Sequence, residues 1–143
     1  MLSEREKVEL LIEKFWELGY LTVSRKYGKY LKDPQPIGKY EVEAIGKIGS
    51  KYIIGIVLNE KDVQNPNILS KLRFLATRKS RITNKNAVLL IGVENSNYLK
   101  ALNLINSLEE TIKRNIILFE LKKTEEKTLN KKDKLFNSNR LFF

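Results

Sequence analysis

Neither histidine nor cysteine occurs among the 143 residues. Their absence removes imidazole acid/base chemistry, Ser-His-Asp and Cys-His nucleophile systems, Cys/His zinc sites, haem and iron–sulfur ligation, and disulfides. Carboxylates, Lys, Arg, Tyr and hydroxyls remain, a set suited to oxygen-ligated Mg²⁺ and to phosphate. The charge balance points the same way, with 27 Lys and Arg against 17 Asp and Glu, net +10. From Val63 through Val93 there is no acidic residue, while Lys71, Arg73, Arg78, Lys79, Arg81 and Lys85 supply positive charge. Arg25, Lys26, Lys29, Lys32 and Lys39 add more against Asp33 alone, interleaved with Tyr27 and Tyr30. Lys and Arg contact phosphates, and Tyr hydrogen-bonds the backbone or stacks on an unpaired base. A one-sign stretch of this length exceeds what a balanced solvated face requires. The candidate nucleic-acid contacts are Arg25, Lys26, Lys29, Lys71, Arg78 and Arg81, with binding largely independent of base sequence and steeply dependent on salt. The competing reading is a Lys-rich surface with no specific ligand and tyrosines that serve packing.

These side chains must be positioned by a short series of elements. Val8, Leu11, Ile12, Phe15 and Leu18 recur at helical spacing, so Ser3 to Leu18 is expected to be a helix, opened by the Ser3/Glu6 capping pattern and stopped by Gly19. Leu21-Thr22-Val23 begins a strand. Gly38 to Ile48 and Lys51 to Leu58 read as two strands of a hairpin turning at Gly49-Ser50. After Asn65-Pro66-Asn67 a helix is expected from Ile68 to Arg81, which would put Lys71, Arg78 and Arg81 within an arc of about 80° beside an apolar stripe. Ala87 to Val93 is a buried strand by composition. Tyr98 to about Lys113 is expected to be a helix with Leu99, Leu102, Ile105, Leu108 and Ile112 on its apolar side, and Ile116 to Leu121 is the last strand.

The order helix, three strands, helix, strand, helix, strand resembles the αβββαβαβ core of the restriction-endonuclease-like fold, an α/β class with a mixed sheet flanked by helices. The stretch Ile37-Gly38-Lys39-Tyr40-Glu41-Val42-Glu43-Ala44-Ile45-Gly46 is similar to the second strand of the PD-(D/E)xK nucleases, with Glu43 where that family has its first Asp. In the third strand, Lys51-Tyr52-Ile53-Ile54-Gly55-Ile56-Val57-Leu58-Asn59, the positions of the family's Glu-x-Lys are Val57 and Asn59. Val57 has no metal-ligating atom and Asn59 no charge. The resemblance therefore implies a degenerate member that binds nucleic acid, DNA foremost, without cutting it and without a cofactor. An active alternative would use Glu41, Glu43, Glu60 and Lys61 in a rearranged Mg²⁺ site, although side-chain alternation turns Glu60 away from Val57 if the strand continues. Otherwise Glu41 and Glu43 are the solvated face of a half-exposed strand. The segment Ser24 to Pro34 is similar to the basic loop before the active site of archaeal Holliday-junction resolvases. In those enzymes a first-helix Glu joins the metal site, a place that Glu6 or Glu9 would have to take here.

Residues 1–121 are expected to form this domain and 122–143 a basic, disordered tail. The tail ends in Leu141-Phe142-Phe143, candidates for docking on a partner protein. That ending resembles sliding-clamp-binding peptides, but Asn139 stands where those have an aliphatic residue and Phe136 where they have Gln. A third reading follows, a protein-interaction subunit engaged through the tail and a sheet edge; a homodimer is also compatible. With a polar start and no apolar run near the ~18 residues of a membrane span, the expected location is the cytoplasm.

Overall fold

The computed structural model describes residues 1–123. The elements in order are α1 (Glu4–Glu17), β1 (Leu21–Arg25), β2 (Ala44–Ile48), β3 (Lys51–Leu58), α2 (Glu60–Gln64), α3 (Ile68–Ala76), β4 (Val88–Val93), α4 (Asn95–Asn106), α5 (Glu110–Lys113) and β5 (Ile116–Glu120). The five strands form one sheet in the order β1-β2-β3-β4-β5. The first three are antiparallel, and β3, β4 and β5 run parallel. The protein is thus α/β with a mixed five-stranded sheet flanked by helices. Among the described residues no helix is long and apolar enough to cross a membrane.

β3 is buried on both faces, which is why it reads as a continuous apolar run. Ile54, Ile56 and Leu58 face α3 and α4 together with Leu89, Ile91 and Val93 of β4. Ile53 and Val57 face α1 with Ala44 and Leu90. On the α1 side the sheet is floored by small residues. A Cβ at Gly55 would stand 2.8 Å from Leu11 Cδ2 and 2.9 Å from Phe15 Cζ, and one at Gly46 would stand 2.9 Å from Phe15 Cδ2. Phe15, fully buried, fills the trough they leave. α1 begins with the expected capping box: Ser3 Oγ accepts from the Glu6 N–H at 3.1 Å and Glu6 Oε1 from the Ser3 N–H at 3.0 Å.

Four boundaries differ from the sequence expectation, each for a local reason. The second strand starts at Ala44, because Ile37 and Tyr40 close a tight turn whose Gly38 (φ +61) lies under the Phe74 ring. The helix expected to reach Arg81 stops at Ala76. There Thr77 Oγ1 donates to the Arg73 carbonyl at 2.8 Å and Arg78 Nε to the Phe74 carbonyl at 2.8 Å, so side chains satisfy the last carbonyls. The helix expected over Tyr98 to Lys113 is two, α4 starting at Asn95 and α5. Its buried face is Ala101 and Ile105, with Leu108 beyond, and Leu99, two residues and about 200° from Ala101, is exposed. Finally, residues 60–64 form the short helix α2, capped by Asn59, where no helix was expected.

Phe15→Ala should lower the unfolding free energy by about 3–5 kcal/mol through the cavity it leaves. Gly55→Ala should cost about 1–3 kcal/mol by overpacking. Urea denaturation followed by circular dichroism measures both.

Candidate functional site

Polar groups gather at both ends of the sheet, and the two gatherings differ in kind. At the carboxyl end of β3, Glu43 leaves β2 with 19% of its side chain exposed and accepts the Val57 N–H at 2.9 Å. Lys26 Nζ stands 4.0 Å from Glu43 and 3.8 Å from Glu41. Burial pushes the Glu43 carboxyl above its ordinary value; the Val57 N–H, Lys26 and Lys71 pull it back, and Asp62 of α2 pushes it up further. Val57 is buried against α1, and the Asn59 side chain accepts from Lys7 Nζ at 2.8 Å.

Lys7 is the hub of this end. Only 8% of its side chain is exposed, and its ammonium also meets Glu4 at 3.1 Å and Glu94 at 3.0 Å. Burial lowers its pKa, yet the two carboxylates outweigh that and the net shift is upward. Lys7 stands three and four residues before Leu10 and Leu11, on the apolar stripe of α1. That placement was the available sign that its charge is buried. Glu6 is occupied by the capping box and Glu9 by Arg25, so neither first-helix carboxylate turns to Glu43.

The residues present do not fit a divalent cation. Glu41 and Glu43 flank the Lys26 ammonium, position 57 is apolar, and no group of three or more acidic residues among the described ones converges to hold a metal. Glu60 turns to Lys100 of α4 at 3.8 Å and to Gln64, away from Glu43, and Lys61 follows it in α2. The acidic neighbour of Glu43 is Asp62, brought near by the unexpected α2, where Asp62 Oδ2 also accepts the Asn59 N–H at 2.7 Å.

The six candidate nucleic-acid contacts do not form one face. Arg25 is paired to Glu9 and donates to the Lys26 carbonyl at 3.2 Å, and Lys26 lies between Glu41 and Glu43. Lys29 stands over the exposed Tyr30 ring at 5.6 Å. Lys71 lies on α3, close enough to bias Glu43. Arg78 and Arg81 are off the helix altogether, so the common arc does not exist. Arg78 stacks on Phe74 with its guanidinium carbon 3.7 Å from the ring centroid. Its carbonyl accepts the Ala87 N–H, one residue before the Ile53–Val88 rung, whereas Glu43 bonds the Gly55 carbonyl. Along the strands this separates Arg78 from Glu43 by roughly 13 Å.

At that second end, where β3, β4 and β5 begin, stand Lys47, Lys51, Lys79, Arg81, Lys85 and Arg114, all exposed. None of them forms an ion pair among the described residues. Nearby acids are already taken: Glu109 by Arg73 at 3.2 Å and Glu110 by Lys113 at 2.9 Å. The docking candidates Leu141, Phe142 and Phe143 lie outside the described residues. No family model, curated protein or solved structure matches the chain.

Because the folded state holds the Glu43 proton above the carboxyl's ordinary value of 4.5, its contribution to stability is present below that pH and is lost as pH rises through the folded value. Glu43→Gln keeps an acceptor for the Val57 N–H and removes the half-buried charge. It should raise the melting temperature at neutral pH, with the advantage vanishing below pH 4.5. Thermal scans of both proteins across that range measure it.

Proposed function

We propose that this chain is a nucleic-acid-binding protein of the restriction-endonuclease-like type that does not cut, serving as an accessory in DNA repair, recombination or replication. The observation that carries the reading is the group of cations where β3, β4 and β5 begin, which have no carboxylate partner among the described residues. Polyanions bind proteins largely through released counterions, so unneutralised Lys and Arg contribute more than those already paired. The sheet order supports the fold resemblance, with an antiparallel β1-β2-β3 meander followed by a helical crossover to parallel β4. Loss of catalysis is supported by the fate of the two Glu-x-Lys positions: Val57 is core, and Asn59 is held by Lys7. Lys26, between Glu41 and Glu43, occupies the place a cation would need there.

The binding surface accordingly centres on Lys79, Arg81 and Lys85, with Lys47 and Lys51 beside them. Of the six candidate contacts, Arg81 fits this surface best, since Arg25 and Lys26 are spent on carboxylates. Contact with phosphates positions a protein on nucleic acid without reading its sequence, which suits a partner recognised by shape, duplex or branched.

Fluorescence anisotropy with labelled duplex and four-way-junction DNA, from about 50 to 200 mM salt, tests this reading; three neutralised phosphates give a log–log slope near −3. Arg81→Glu and Lys85→Glu should each flatten the slope by about 1. Glu43→Ala should leave affinity unchanged, and the strands should stay intact with Mg²⁺ or Mn²⁺. Metal-dependent cleavage abolished by Glu43→Ala would instead establish the active nuclease.

A further inference from the structure

We infer that the loop joining α3 to β4, residues 77–87, is a preformed wedge that enters nucleic acid, with Ile82 pressed between bases and the surrounding cations on the flanking phosphates. This rests on the nucleic-acid reading above and specifies how that surface engages its ligand.

The loop is closed by its own backbone. Lys79 and Asn86 form an antiparallel bridge, the Ser80 N–H donates to the Lys85 carbonyl at 3.0 Å, and the Asn84 N–H donates to the Ser80 carbonyl at 2.9 Å. Ser80 Oγ accepts from the N–H groups of Ile82 at 3.3 Å and Thr83 at 3.4 Å, and Asn84 takes the left-handed conformation (φ 55) that completes the turn. Backbone groups of the tip and the Ser80 hydroxyl are thus bonded within the loop. The one large apolar side chain of the tip, Ile82, is turned out and is 93% exposed.

The base of the loop is anchored as a wedge requires. Arg78 lies flat on Phe74 and donates to its carbonyl, and Phe74 packs against Tyr40 with ring centroids 5.4 Å apart. A stiff support means that little order has to be gained on binding.

The chemistry around Ile82 selects the ligand. Lys79, Arg81 and Lys85, all exposed, flank it in the same loop, and the chain carries no acid from Val63 through Val93. A cationic rim around a single apolar tip matches phosphates on either side of a base step, where one inserted aliphatic side chain is enough to unstack two bases. An anionic membrane shares the charge complementarity, but its hold scales with buried apolar area, and one isoleucine supplies little. The observations therefore favour nucleic acid.

The test uses the full chain and a DNA duplex carrying 2-aminopurine beside a single mismatch, where unstacking costs least. Wild type should raise the 2-aminopurine fluorescence on binding. Ile82→Ala should lose that rise while keeping the salt dependence of affinity, and Ile82→Phe should restore it. Arg81→Glu should flatten the salt slope by about 1. Ile82 is so exposed that neither substitution threatens the fold. If DNA binds but Ile82→Ala unstacks as well as wild type, the wedge is wrong and the nucleic-acid reading stands. Binding indifferent to charge reversal at Lys79, Arg81 and Lys85 together would overturn both the wedge and the assignment of nucleic-acid binding to this surface. If wild type binds no DNA at low salt, the functional reading falls and the wedge with it. Ile82-dependent binding to phosphatidylserine vesicles without DNA binding would overturn both and identify a membrane as the occupant.

Discussion

The seating of Phe15 in the trough of Ala44, Gly46 and Gly55 is the contact on which much else depends. It sets the height and direction of α1 across β2 and β3. Because α1 is rigid, that one contact also decides where its amino-terminal half arrives, two turns away. Lys7 is delivered to Asn59 and Glu94 at the strand ends, and Glu9 is delivered to Arg25 of the edge strand. A side chain on either glycine would lift the helix and withdraw both. Packing on one face of the sheet therefore governs electrostatics at its end.

The outcome is an uneven distribution of charge. At the carboxyl end of β3 each cation is held by carboxylates: Lys7 by Glu4 and Glu94, Arg25 by Glu9, Lys26 by Glu41 and Glu43. At the opposite end cations stand without acid partners among the described residues. Around the apolar Val57 this end of the sheet holds ion-paired side chains. The protein's excess charge is displaced to a hairpin loop on the far side. Glu43 keeps a trace of strain, a carboxylate half-buried with one N–H and a distant ammonium for company.

Much of the framework was legible along the chain. The capping box at Ser3, the doubly buried run of β3 and the Gly49-Ser50 turn each carry a local cause, so the elements come out in the right order. Helix ends were less legible. α3 stops at Ala76 because Thr77 and Arg78 turn their side chains back on its carbonyls, and Phe74 could not be foreseen packing on Gly38. Reading the helix through to Arg81 aligned Arg78 and Arg81 with Lys71, an alignment the fold does not contain. Three-residue steps from Leu99 to Leu102 and Ile105 place Leu99 on the apolar side, whereas the four-residue step from Ala101 to Ile105 is the face that packs.

By itself the sequence determined which chemistries are excluded, since no fold supplies a missing imidazole or thiol. It also determined the apolar and uncharged side chains at positions 57 and 59 and the long stretch without acid. Only the tertiary structure decided which cations are spoken for. The deciding pairs, Arg25 with Glu9 and Arg73 with Glu109, lie 16 and 36 residues apart. Charge is a property of a residue, but its neutralisation belongs to a distance of a few ångströms. That distance is set by how helices seat on the sheet.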